Sequence, residues 1–303
     1  MTADQEKKSV ALNSVFAALL LTGMKVVVGV LTGSLGILAE AAHSGLDLVA
    51  AFMTFLAVRF SSRPADRNHP YGHGKVENLS ALFETILLLV TCAWISYEAT
   101  HRLIYQGVEI EVTFWSFAVM VISILVDISR SRMLYRAAKK YNSQALEADA
   151  LHFSTDIWSS GVVLLGLSCV KIGEWFPDLS FLAQADAIAA LIVALIVVWV
   201  SFQMGDRTIQ TLLDAAPEGM EENIIKTVEI IPGVMNCHNV RLRYSGPQLF
   251  VDIHILVDGS RTLRETHQLT DQIEQVIQQL IPSADVTVHP EPHPDTVPPV
   301  SSN

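Results

Sequence analysis

At 303 residues, half of them hydrophobic and only 17% charged, the chain is more apolar and poorer in charge than ordinary globular domains. A formal net charge of −11 argues against a nucleic-acid partner, which calls for a basic face. Three cysteines, Cys92, Cys169 and Cys237, stand singly and give neither a disulfide framework nor a CxxC pair.

The polar N-terminus ends in Lys7-Lys8 and lacks a small-residue cleavage motif, so the first apolar run reads as a retained span. Residues 1–8 are expected to be a short cytoplasmic arm. Runs of spanning length follow at 9–31, 37–60, 78–104, 112–134, 146–171 and 184–206. Gly23 and Gly29 in the first run permit close helix approach. The stretch 61–75 changes to loop composition, and 130–143 is basic, with Arg130, Arg132, Arg136, Lys139 and Lys140. The alternate loops, at 32–36, 105–111 and 172–183, are neutral or acidic. This asymmetry of lysine and arginine places both termini in the cytoplasm. The expected organisation is a six-helix transmembrane domain over 9–209, a cytoplasmic domain over 210–293 and a disordered Pro- and Ser-rich tail over 294–303.

The cytoplasmic segment reads as αββαβ. A helix spans Met220 to Ile231 and ends at Pro232-Gly233. Strands at Val234–Tyr244 and Gln248–Val257 flank a Ser245-Gly246-Pro247 turn. An amphipathic helix, Thr262–Leu280, leads to a last strand, Ala284–His289. That order predicts a small α+β domain, an open sheet with helices on one face.

Two copies of one spacing stand out: His43-Ser-Gly-Leu-Asp47 in the second span and His152-Phe-Ser-Thr-Asp156 in the fifth. Positions i and i+4 share one helix face, so each copy offers an imidazole and a carboxylate on one stripe. Together the stripes supply two nitrogens and two oxygens, a set that suits a tetrahedral divalent ion such as Zn²⁺. Ionisable groups inside membrane spans are expensive and mark ion paths. The plain alternative is two satisfied polar pairs that stabilise helix packing. Glu40 and Asp149 each stand three residues before the histidine, as helpers, proton carriers or helix-end groups.

Two further clusters lie outside the spans. In the loop, Asp66, His69 and His73 can wrap one ion, with Gly72 and Gly74 for tight bends; the alternative is a polar membrane-edge loop. In the soluble domain, His238 and His254 fall on adjacent strands and His289 ends the third. His267, Glu291 and His293 complete that group, unless they are solvated surface residues.

The chain resembles the cation diffusion facilitator family of divalent-metal exporters over nearly its whole length. The resemblance rests on the paired HxxxD motifs, the run His69-Pro-Tyr-Gly-His73-Gly-Lys75-Val-Glu77, Ala148-Asp149-Ala150-Leu151-His152, and the ending His289-Pro-Glu291-Pro. It implies a homodimer in the bilayer, each protomer with six spans and a metallochaperone-like (ferredoxin-like) αββαβ domain. It implies that His43, Asp47, His152 and Asp156 form the transport site and that Asp66, His69 and His73 form a loop site. His238, His254, His289 and Glu291 match a cytoplasmic site that bridges the dimer, and His267 matches a further ligand position there. Lys75 and Asp214 match a charge pair that holds the protomers together near the membrane surface.

The activity this implies is export of Zn²⁺ in exchange for protons. A histidine must be neutral to ligate, so metal and proton compete for it, and an ordinary imidazole titrates near pH ~6.5. Fe²⁺, Mn²⁺, Co²⁺, Cd²⁺ and Ni²⁺ use overlapping ligands. A metal sensor that binds without transporting is the second expectation. An intramembrane metalloenzyme is disfavoured, because four ligands leave no open position and no HExxH motif is present. A bacterial plasma membrane is the expected location.

Overall fold

The structure is a computed structural model and describes residues 3–33, 35–105, 114–175 and 182–293. Residues 106–111 and 176–181 of the expected loops lie outside the described residues, as does the tail over 294–303, while 172–175 and 182–183 are helical. The chain divides into two compact units, Met1–Ile209 and Gln210–Asn303.

The first unit is built from long helices: α1 (Ala3–Thr32), α2 (Leu35–Ser61), α3 (Lys75–Tyr105), α4 (Phe114–Tyr141), α5 (Gln144–Trp175) and α6 (Leu182–Leu212). Among the described residues, Ala3–Thr32, Glu40–Ser61 and Lys75–Trp94 are long and apolar enough to cross a membrane by length and composition. Large apolar side chains point outward, including Leu20, Leu31, Trp94 and Trp199. The interior is made of small ones. Ala11, Ala51, Ala137, Ala138, Ala145 and Ala150 pack around Val58, Leu134, Leu146 and Phe153, joining α1, α2, α4 and α5. Without a hydrophobic drive between helices in lipid, small residues gain contact by letting backbones approach.

Three expectations need correction here. The N-terminal arm is not a separate segment: α1 begins at Ala3 and carries Lys7 into the interior. The basic stretch 130–143 is helical to Tyr141, with α5 starting at Gln144, so it extends α4 instead of forming a loop. Of the two glycines, only Gly29 sits at a close approach: a Cβ there would meet the Leu38 side chain at 2.9 Å, whereas one at Gly23 would meet nothing within 4 Å.

The second unit contains α7 (Met220–Glu229), β1 (Asn236–Ser245), β2 (Gln248–Val257), α8 (Leu263–Leu280) and β3 (Ala284–Pro292). The sheet order is β1-β2-β3, with β1 and β2 antiparallel and β2 and β3 parallel. Gly246, at φ 59, makes the hairpin turn, where a positive φ matches the strand twist. Ile224 and Val228 of α7 and Leu269, Ile273 and Ile277 of α8 bury against Leu249, Val251, Ile253 and Ile255 of β2. β2 thus forms the floor of the core.

A register shift between His238 and Arg241 interrupts the β1–β2 ladder, and Asn239 there takes φ 49. Such a bulge bends the strand and re-aims neighbouring side chains.

α8 starts with a capping box: Thr262 accepts from the Glu265 N–H, and Glu265 reaches back to the Thr262 N–H at 2.9 Å. Thr262→Ala should cost about 1 kcal/mol, read as faster hydrogen exchange of the first-turn amides of α8. The Thr262 N–H and hydroxyl hold the Glu265 carboxyl below its ordinary range. A depressed folded-state pKa means support that is present above the unfolded value and lost as pH falls through the folded one. The protection of that turn should therefore be full at neutral pH and fade only in acid.

Candidate metal centres

α2 presents His43 and Asp47 one turn apart, and α5 presents His152 and Asp156 likewise. The two stripes face each other. His152 Nε2 lies 3.2 Å from Asp47 Oδ1 and 3.7 Å from Asp156 Oδ2. His43 Nε2 lies 3.9 Å from both Asp47 Oδ1 and Asp156 Oδ1. Each imidazole therefore meets a carboxylate of its own helix and one of the other. Ligand atoms of His43, Asp47 and Asp156 fall within 4.8 Å of one another, close enough to hold one ion. The His43 side chain is 41% exposed and that of His152 4%, so the cluster opens on the His43 side and closes behind His152.

The two neighbouring acids hold helices together. Glu40 takes the Lys25 ammonium at 3.2 Å, and Lys25 also donates to Ser44 at 2.7 Å, which ties α1 to α2. Asp149 is fully buried and accepts from Ser14, whose hydroxyl also accepts from Arg130 at 3.1 Å. Arg130 in turn pairs with Asp127 and lies over the Phe153 ring at 3.5 Å. These contacts join α1, α4 and α5 beside the histidine of the second pair.

In the loop, Asp66 forms a local turn, accepting the Asn68 and His69 N–H groups at 2.9 and 2.7 Å. These donors, led by His69, hold the Asp66 carboxyl below its ordinary range. Its oxygens lie 3.2 Å from His69 Nδ1 and 3.4 Å from His73 Nε2. Gly72 closes the bend at φ 76, with its N–H on the His69 carbonyl. A carboxylate and two imidazoles converge within 4.8 Å of one another.

In the soluble domain His238, His254 and His289 form a row across the sheet, His238 opposite His254 and His254 opposite His289. They face one carboxylate. Glu291 lies 2.9 Å from His254 Nδ1, 3.3 Å from His238 Nε2 and 3.7 Å from His289 Nε2. The His254 contact leads in holding the Glu291 carboxyl below its ordinary range. His238, His254 and Glu291 form a set of one-ion size. His238 Nδ1 is buried without a hydrogen-bond partner among the described residues, and Asn239 at the bulge reaches His254 Nε2 at 3.2 Å. No periodicity in the strand announces Asn239; the Asn-rich run Asn236 to Asn239 is the nearest signal.

His267 stands apart from this row, exposed on α8 beside Asp271 at 3.9 Å. Lys75 opens α3, and Asp214, at φ 62 just after α6, lies 3.7 Å from Arg243.

The chain matches known proteins over both of its parts. Residues 11–213 match the cation efflux transmembrane domain, and residues 216–293 match the cation efflux protein cytoplasmic domain. The cation-efflux pump FieF of Serratia proteamaculans (strain 568) is 33% identical over 292 residues, covering 94% of this chain and 92% of the relative. FieF of Escherichia coli (strain K12 / DH10B) is 34% identical over 268 residues, covering 86% and 84%. A solved MamM C-terminal domain is 25% identical, covering 25% of this chain and 96% of its own, with a TM-score of 0.24. Both domains of one family are thus matched in order, and the chain belongs to the cation efflux, or cation diffusion facilitator, family of membrane transporters of divalent metal cations, not to an enzyme family.

Proposed function

We propose that the chain is a Zn²⁺/H⁺ antiporter that exports zinc from the cytoplasm, with His43, Asp47, His152 and Asp156 as its transport site. The observation that carries this reading is the meeting of two His/Asp pairs from α2 and α5, with each imidazole between carboxylates of both helices. Two nitrogens and two oxygens favour zinc over Mn²⁺, which prefers an oxygen-rich shell.

Exchange follows from the ligands themselves. Zinc entering from the cytoplasm needs both imidazoles neutral and so expels their protons. On the opposite side, protons from a more acidic compartment reclaim the nitrogens and weaken the site. Empty and charged, four such groups in a dry bundle are costly, so metal or protons occupy them. Rocking of α2 and α5 relative to the rest of the bundle would change the side on which the site opens.

The cytoplasmic residues His238, His254 and Glu291, with His289 beside them, fit a regulatory zinc ion. Their donors are mixed nitrogen and oxygen, and they lie within 4.8 Å of one another. A zinc held there supplies a rigid cross-link. In this reading the protein is a homodimer in a bacterial plasma membrane, His267 adds a ligand, and Lys75 and Asp214 form the charge pair that secures the protomers. Asp66, His69 and His73 bind a further ion at the membrane edge. Replacing both His238 and His254 with alanine should remove one zinc per chain in a calorimetric titration. It should also flatten the dependence of transport on cytosolic metal. Unchanged zinc stoichiometry, or transport that responds to metal as before, would count against this site.

The decisive experiment is proteoliposome uptake of Zn²⁺, Mn²⁺, Fe²⁺ and Cd²⁺ under an imposed pH gradient. Zinc flux that rises with the gradient and exceeds the other ions is the expected result. Tight zinc binding without flux would instead favour a sensor, for which the row of cytoplasmic histidines would be the main site.

A further inference from the structure

One stripe of α4 takes no part in the metal centres. Arg132, Arg136 and Lys140 follow one another at a spacing of four, and Leu125 and Ile128 continue the stripe toward the middle of the span. With Val10 of α1 these residues line a groove of about 610 Å³. Its chemistry changes along its length, from apolar below to basic above.

The basic end is available to a ligand. Arg132 and Arg136 are exposed, and neither has a hydrogen-bond or ion-pair partner among the described residues. Lys140 pairs with Glu6 at 2.8 Å, and Glu6 also accepts the Tyr141 hydroxyl. The acid beside the groove is therefore already neutralised, and two guanidiniums are left uncompensated on a chain whose net charge is −11.

The depth of the two ends matches a bilayer. From Phe114 to Arg132 the helix rises about 27 Å, close to the ~30 Å of bilayer hydrocarbon. Arg132 thus falls at headgroup level on the cytoplasmic side. Leu125, 62% exposed, lies about two turns deeper, at acyl-chain level. A guanidinium pair binds a phosphate through several charge-assisted hydrogen bonds, and basic clefts between spans on this side suit anionic headgroups.

We infer that the α1–α4 groove binds an anionic phospholipid of the cytoplasmic leaflet, its phosphate on Arg132 and Arg136 and its chains along Val10, Leu125 and Ile128. The site is separate from the four transport ligands, and its test does not depend on zinc transport.

The test is native mass spectrometry of the full-length protein titrated with phosphatidylglycerol or phosphatidylcholine. The parent is compared with Arg132→Gln, Arg136→Gln, the paired variant, and Lys226→Gln, which removes one exposed charge from α7. The parent should retain phosphatidylglycerol over phosphatidylcholine. At ~1 kcal/mol per base near an anionic headgroup, each arginine variant should bind it about fivefold more weakly and the paired variant about 25-fold. Lys226→Gln should match the parent. Equal phosphatidylglycerol binding by the parent and the paired variant would overturn the site, as would equal retention of the two lipids by the parent. Displacement of phosphatidylglycerol by millimolar inorganic phosphate would show a site for free phosphate and would overturn the lipid assignment.

Discussion

Asp156→Ala and His152→Ala should each abolish zinc uptake into proteoliposomes, with a loss of at least about a hundredfold, while the protein still elutes as a folded species. Outer contacts of a metal site already carry 10- to 100-fold in affinity or activity, and these side chains are ligands themselves. His152 is the sharper case. Its Nε2 lies 3.2 Å from Asp47 of the other helix, so alanine removes a ligand and also the link between the α2 and α5 pairs. Asp47→Asn adds a control that keeps size and loses charge; it should fail as fully as alanine if the carboxylate is a ligand. His43→Asp should behave differently. It swaps a nitrogen for an oxygen at the open edge of the cluster, which should leave transport working and move its preference from zinc toward manganese. Retained zinc flux in Asp156→Ala or His152→Ala would end the assignment of this cluster as the transport site.

The sequence exposes this cluster because its two halves are local. Each HxxxD lies on one helix, and a spacing of four fixes the face it occupies before any packing is known. The same holds for the Asp66 to His73 loop, whose contacts are at most seven residues apart. The histidine row of the sheet is one step harder. Strand positions are legible from alternation, but the row needs the register of three strands, and the bulge at Asn239 sets part of it. A bulge has no composition signal comparable to a turn, so Asn239 was invisible as a partner of His254. His267 looked equivalent to the others by residue type, and only the placement of α8 separates it from them in one chain.

Polar contacts between helices are the part that sequence does not disclose. Lys25 with Glu40, and Arg130 with Ser14 and Asp149, join residues from 15 to 135 positions apart. Glu84 of α3 is a wholly buried acid that accepts from Thr54 of α2 at 3.0 Å. A charged residue in an apolar run signals cost but does not name the residue that offsets it. The basic stretch after 130 shows the reverse error: charge suggested a loop, yet one face of α4 carries Leu134, Ala137 and Ala138 into the interior and keeps it helical. Half-buried, half-basic helix ends are what a membrane surface permits, because long cationic side chains extend toward water while their stems cover apolar surface.

Among these contacts the Lys7–Glu77 pair should have the largest effect on stability. Lys7 Nζ donates to Glu77 Oε1 at 2.9 Å, with the two side chains 3% and 0% exposed. Ser61, the last residue of α2, donates to the same oxygen at 2.7 Å, and Ser143, just before α5, donates to the other. One carboxylate therefore ties α1, α3 and the near ends of both helices that carry the proposed transport ligands. Lys7→Met should cost about 3–5 kcal/mol, because it leaves a buried carboxylate without its cation. Glu77→Gln alone should cost less, because Asp4 lies 3.7 Å from Lys7 Nζ and the amide oxygen still accepts from it. The paired variant, Lys7→Met with Glu77→Gln, buries no charge; the amide oxygen accepts from one serine and the amide N–H donates to the hydroxyl of the other, so it should recover most of the loss. Thermal unfolding in detergent of the four proteins would measure this coupling. Costs that simply add would mean that the two side chains do not interact. If stability returns in the paired variant while zinc flux does not, the charge itself serves transport, and the knot is a pivot on which α2 and α5 rock. If both return, its role is confined to holding the helix ends together.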